Sequence, residues 1–267
     1  MGLVPELSSY KDKYKHFKFE RRDGILQVTM HTDGSDLVWG FGPDEECGFM
    51  FEDIGRDPEN KVIILTGAGS TFIDNEEFGS GDPEVTIPAT VWANVFAFAK
   101  RLLQAHLDIE APMIAAINGP ATIHAELGLL CDIVLASDTA TFADQPHFPN
   151  GLIPGDGVQV IWPMLIGMNR ARYMLFTGQH LNAQQALDLG IVAEVLSGDK
   201  LLDRAWEHAH KLLEIPELTR RMTRSVFTSQ FKQALGPNLE YGIAVEGLAA
   251  TNYWIENFKR GSVSPDA

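Results

Sequence analysis

The segment DQPHFPNGLIPGDG, residues 144–157, sets a histidine, His147, and an aspartate, Asp156, among three prolines and three glycines. Proline fixes φ and glycine admits φ > 0, so a stretch this rich in both is a shaped loop. Imidazole changes charge near neutral pH, with an ordinary pKa of about 6.5, and is therefore suited to moving protons. A carboxylate beside it can fix which ring nitrogen carries the proton. A second histidine, His124, lies in NGPATIHAE (118–126), and Glu246 lies in AVEGLAA (244–250). Trp39, in LVW (37–39), offers an indole N–H that donates without titrating. The other histidines stand alone in the sequence and are read as structural or solvated.

Elements must exist to position these groups. GILQVTMHT (24–32) alternates like a half-buried strand. KVIILTGAG (61–69), MIAAINGP (113–120) and DIVLASD (132–138) are continuous apolar runs of the kind found in parallel strands covered on both faces. ATVWANVFAFAKRLLQAHLDI (89–109) has helical periodicity, and AELGLLC (125–131) starts a further helix. Strands alternating with helices predict an α/β fold with right-handed crossovers. After Gly157 the pattern turns helical throughout. The expected division is an α/β core over residues 1–200 and a C-terminal helical region over 201–267.

The bulk composition bounds the partners. There are 36 acidic and 21 basic side chains, a formal net charge of −15. Nucleic acid and anionic membranes attract basic surfaces, so neither is an expected partner. The N-terminal stretch lacks the apolar core of a signal peptide, and no apolar run approaches the ~20 residues of a membrane span. Glu6 stands where a myristoylation signal would need Ser or Thr. The two cysteines, Cys47 and Cys131, make neither a disulfide framework nor a CxxC motif. A cytoplasmic protein is expected.

Four segments in order resemble the crotonase (enoyl-CoA hydratase/isomerase) superfamily. They are KVIILTGAGSTFIDNEEF (61–78), MIAAINGPATIHAELGLLCDIVLASDTATFADQP (113–146), GLIPGDG (151–157) and LFTGQHLNAQQALDLGIVAEVL (175–196). The likeness runs from about residue 20 to 255. It implies a spiral ββα core with a C-terminal helical region, and association as trimers or dimers of trimers. Two departures stand out. Phe72 is followed by IDNEEF where acyl-CoA enzymes carry small residues, and TIHAE replaces their run of glycines. Close backbone approach to a thioester carbonyl is then harder to arrange.

The remaining pattern resembles a narrower branch, the β-diketone hydrolases of the 6-oxocamphor hydrolase type. The motifs that carry this are LVW, NGPATIHAE, PHFPNGLIPGDG and AVEGLAA. The resemblance implies cleavage of the carbon–carbon bond between two carbonyls by water, giving a keto acid, with no cofactor, metal or CoA. It implies His147 as general base with Asp156 on its other nitrogen. His124 becomes a donor to a substrate oxygen, and Glu246 a group that relays a proton. Trp39, Phe72 and Asp74 are expected at the substrate, with Phe41, Phe78, Trp92 and Phe96 as further apolar lining. Glu126 aligns only roughly with a catalytic glutamate of the hydratases, and Glu76 and Glu77 read as a solvated face. Three other readings compete. One is acyl-CoA hydratase or thioesterase chemistry, with phosphate contacts from Lys100, Arg101 and Arg170 to Arg172. Another is a metal-dependent hydrolase on His124, His147 and Asp156. The last is a silent scaffold.

Overall fold

The computed structural model describes residues 4–77 and 87–252. The strands are β1 (Phe17–Arg22), β2 (Ile25–Met30), β3 (Val38–Trp39), β4 (Val62–Gly67), β5 (Asn75–Glu76), β6 (Met113–Ile117), β7 (Ile133–Ser137), β8 (Thr141–Phe142), β9 (Leu181–Asn182) and β10 (Glu194–Leu196). Six of them form one sheet in the order β1-β2-β4-β6-β7-β10. The β1–β2 pair is an antiparallel hairpin, and the remaining pairings are parallel. β3 pairs with β5, and β8 with β9, in two small sheets.

The continuous apolar runs are explained by burial on both faces. Ile63, Leu65, Met113, Ala115 and Ile117 point into the main core, which includes Leu102, Leu103 and Phe51. Val62, Ile64, Ile114 and Ala116 alternate to the opposite face and pack under Leu201, Ala205 and Ala209. Those last residues belong to helix Gly198–Leu213, which covers that second face and spans the boundary expected after residue 200. The α/β expectation therefore holds for the sheet.

Two local expectations need correction. The last third is not helical throughout, because Glu194–Leu196 adds a sixth strand to the sheet. Three residues between helices are too few for a period to register. The run that begins at Val158 is also two helices, Val158–Ile166 and Met168–Thr177, broken at Gly167, whose φ is 81°.

A buried arginine locks helix Glu217–Leu235 onto the core. The Arg224 guanidinium, 1% exposed, donates to the carbonyls of Ile109 and His106 and to Asp132 at 2.8 Å. Arg224→Leu removes the donor and leaves these acceptors unmatched. We expect a loss of about 1–3 kcal/mol in denaturant unfolding, the range for leaving a buried acceptor unsatisfied.

Candidate active site

Three loops and one helix converge at the C-terminal end of the parallel strands. The loop after β4 and the loop after β6 are bound to each other through their backbones. Phe72 and Ile73 N–H donate to the Pro120 carbonyl, and Thr122 and Ile123 N–H donate to that of Ile73. Gly119 permits this contact, since a Cβ there would collide with the Ser70 carbonyl. These four amides are committed to holding the loops together and present no donors to a ligand. At the end of the second loop His124 adopts φ 43°, a left-handed conformation uncommon for a side chain larger than glycine.

The third loop, 144–157, lies against helix Leu239–Asn252. A Cβ on Gly155 would run into the Gly242 carbonyl, so glycine lets the loop lie flat on the helix. That contact brings Asp156 and Glu246 to the same histidine. His147 Nε2 is 3.6 Å from Asp156 Oδ2 and 3.5 Å from Glu246 Oε1. Its other nitrogen, Nδ1, is hydrogen-bonded to Asp144 at 2.6 Å. Here the sequence reading is corrected: the carboxylate on the far nitrogen is Asp144, and Asp156 faces the nitrogen that points at the cavity. Asp144 is the first residue of the same loop, three before His147, and that spacing was the available signal.

His124 is built the same way. Its Nδ1 bonds Glu126 at 2.6 Å and lies 3.6 Å from Asp156. Asp156 thus stands between the two histidines. His124, Glu126 and Asp156 each place one ligand atom within 4.8 Å of the others, a set with the composition of a cation site. Trp39 packs on His124 with ring centroids 4.3 Å apart, and its indole nitrogen is buried with no hydrogen-bond partner among the described residues.

A cavity of about 50 Å³ opens over these groups. Trp92, Ile123, Leu152 and Ile243 supply apolar walls, and Asp44, Glu76, His124, His147, Asp156 and Glu246 supply polar ones. Phe72 and Asp74 take other places. Phe72 is fully buried in the core, and Asp74 accepts the Thr122 hydroxyl and so ties the two loops. Phe41 is 40% exposed, Phe96 borders a separate surface groove, and Phe78 lies outside the described residues. Glu76, in the acidic run expected near the pocket mouth, lines the cavity, because the β3–β5 pairing sets it beside Trp39. Asp44, in helix Phe41–Arg56, carried no signal in the sequence.

Electrostatics decide the protonation states. Burial alone would lower the pKa of His147, but the charges of Asp144, Asp156 and Glu246 outweigh it and hold the pKa well above its ordinary value. Burial likewise opposes charge on His124, yet Glu126, with Asp156 and Asp44, lifts it to about 9. Burial raises Glu246 to about 7 against the pull of His147, and raises Asp44 to about 7 with help from Asp156. Both histidines are therefore imidazolium at neutral pH. His147 is not the free neutral base that its ordinary pKa predicts. Five carboxylates, Asp44, Glu126, Asp144, Asp156 and Glu246, surround two imidazoles, and no single motif displays that convergence.

This α/β architecture, with its tied pair of loops at the strand ends, defines a crotonase-type protein. The family model for enoyl-CoA hydratase/isomerase matches residues 21–246, and the chain belongs to that family. It is 33% identical over 197 residues to a short-chain-enoyl-CoA hydratase of Clostridium acetobutylicum, covering 73% of this chain and 74% of that one. It is 33% identical over 211 residues to a carnitinyl-CoA dehydratase of Proteus mirabilis, covering 77% of each. Among solved structures it resembles a β-diketone hydrolase of the cyanobacterium Anabaena sp. bound to (S)-3-oxocyclohexyl acetic acid. That pair is 42% identical with a TM-score of 0.86, over 91% of this chain and 97% of the other. Among the described residues no helix is long and apolar enough to cross a membrane.

Proposed function

We propose that this chain hydrolyses the carbon–carbon bond between the two carbonyls of a β-diketone, opening a cyclic substrate to a keto acid without CoA. The observation that carries the reading is the pair of buried carboxylate–histidine contacts, Asp144–His147 and Glu126–His124, facing one cavity across Asp156. The 42% identical Anabaena relative is a β-diketone hydrolase, and the molecule bound to it is a cyclic keto acid. The Phe72, Ile73, Thr122 and Ile123 amides are tied between the two loops, and the His124 side chain is a donor that faces the cavity. The cations considered for a CoA phosphate are partly engaged, since Lys100 pairs with Glu240 and Arg101 with Glu52.

The chemistry follows from the geometry. His147 Nε2 lies 3.6 Å from Asp156 and 3.5 Å from Glu246, and all three line the cavity, where they can act on one water beside them. That water adds to one carbonyl as its proton enters the His147–Asp156–Glu246 cluster. The tetrahedral oxyanion and then the enolate accept hydrogen bonds from His124, whose Nε2 has no partner among the described residues, and from the unpartnered Trp39 N–H. Collapse breaks the carbon–carbon bond, with the second carbonyl taking the electron pair as its enolate. The cluster returns the proton to carbon, and Glu246, with a pKa of about 7, can both hold and release it near neutral pH.

A pH profile follows with its sign fixed. Below about 7 Glu246 holds a proton and cannot accept another, so the rate falls as pH falls. Above about 9 His124 loses its charge and donates less strongly, so the rate falls again. A bell with limbs near those values is expected for kcat/KM, and Glu126→Gln moves the alkaline limb to lower pH. A flat profile from 6 to 10 contradicts the scheme. The activity itself is tested by the ultraviolet loss of cyclic 1,3-diketones, with a chelator present and CoA absent, beside hydration of a short-chain enoyl-CoA. Diketone turnover that survives the chelator supports the reading. Enoyl-CoA hydration with inert diketones overturns it.

A further inference from the structure

A diketone whose carbonyls engage His124 and His147 must lay its remaining carbons on the apolar lining, an inference that rests on the diketone reading. One helix supplies much of that lining. Trp92, Val95 and Ala99, three and then four residues apart in helix Ala89–Asp108, share one face and all border the cavity. Trp92 carries the largest side chain among the described residues of the lining. Its place is fixed from behind. The indole N–H donates to the Ile243 carbonyl at 3.1 Å, and the ring lies directly on Gly247, where a Cβ would collide with the indole nitrogen. The indole therefore has no room to draw back toward helix Leu239–Asn252. The space it leaves is small. The cavity measures about 50 Å³, whereas a cavity of about 150 Å³ is one that takes up a benzene ring. A cyclic diketone fills such a site from floor to mouth, and the carbons of a further ring press on its apolar wall.

We propose that Trp92, seated on Gly247, is the specificity-determining residue that limits the size of the diketone ring this site accepts. An indole contains a benzene ring, so a smaller side chain at this position returns to the cavity much of the volume that a second ring needs. Gly247 belongs to the same arrangement. It follows Glu246 in helix Leu239–Asn252, so the helix that carries the proton-handling carboxylate also seats the wall against which the ring is held. Ring size and the placing of the reacting carbon are then set by one element.

The test compares kcat/KM for 2-methylcyclohexane-1,3-dione with that for a bicyclic 1,3-diketone, whose bridging carbons add a second ring. In Trp92→Leu the ratio of bicyclic to monocyclic turnover should rise at least about tenfold, the discrimination that a methylene or so commands in an apolar pocket. Ala99→Leu adds bulk to the same helix face and should move the ratio the other way. General damage to the fold, or to the placing of Glu246, slows both substrates together and leaves the ratio where it was. Should Trp92→Leu fold poorly, Val95→Ala supplies a second widened variant, with a smaller rise in the same direction. A ratio within about twofold of wild type in the folded variants, or one that moves the same way in widened and narrowed sites, overturns the proposal. Failure of the diketone reading looks different, because wild-type protein then turns over neither diketone.

Discussion

His147→Ala is expected to lower kcat on a cyclic 1,3-diketone by about 10²–10⁴, the range for removing a positioned acid–base group. The substitution removes the imidazole that faces both Asp156 and Glu246, at 3.6 and 3.5 Å. Without it the pull that lowers the Glu246 pKa is lost, so Glu246 keeps its proton and cannot accept one from water. KM should change much less, because the apolar walls from Trp92, Leu152 and Ile243 are untouched. His147→Gln should be nearly as impaired, since an amide can hold the water but cannot titrate. Activity within about threefold of wild type in both variants would remove His147 from the mechanism.

Asp144→Asn should come close to that loss, about 10²–10⁴ in kcat, although Asp144 does not line the cavity. Its carboxylate accepts from His147 Nδ1 at 2.6 Å, which fixes the ring and stabilises its protonated form. Asparagine presents either a weaker acceptor or an N–H donor. In the second orientation the imidazole must carry its proton on Nε2, the nitrogen that has to exchange protons. The Asp144 charge also helps to raise the Glu246 pKa, so its loss should move the acid limb of the pH profile to lower pH. A purely structural role would reduce activity without moving that limb. Asp144→Glu, which keeps the charge, should restore part of the rate.

The fold was largely legible from the chain. Parallel strands buried on both faces leave continuous apolar runs, and the segments at 62–67, 113–117 and 133–137 are such runs. β10 escaped because three residues cannot show a period, although they extend the sheet. The site was legible where a motif held it. His147, Asp156, His124 and Glu246 meet around one cavity, which Trp92 also lines.

What stayed hidden depends on tertiary placement. Asp44 reaches the cavity from a helix that contributes no motif, and Glu76 reaches it through a two-residue strand. The protonation of His147 was hidden for the same reason, since it depends on three carboxylates that meet only in the folded chain. Phe72 illustrates the converse. It sits inside a recognisable loop motif yet packs into the core, because Gly128 leaves room for its ring.

The most direct test of the central claim is turnover of a cyclic 1,3-diketone in oxygen-18 water, with a chelator present and no CoA added. Hydrolysis of the carbon–carbon bond predicts a ring-opened keto acid one water heavier than the substrate, with the label in its new carboxylate. In deuterated solvent a deuteron should appear on the carbon that carried the enolate. A diketone recovered with its ring intact, from protein that hydrates a short-chain enoyl-CoA under the same conditions, would contradict the account and return the site to thioester chemistry.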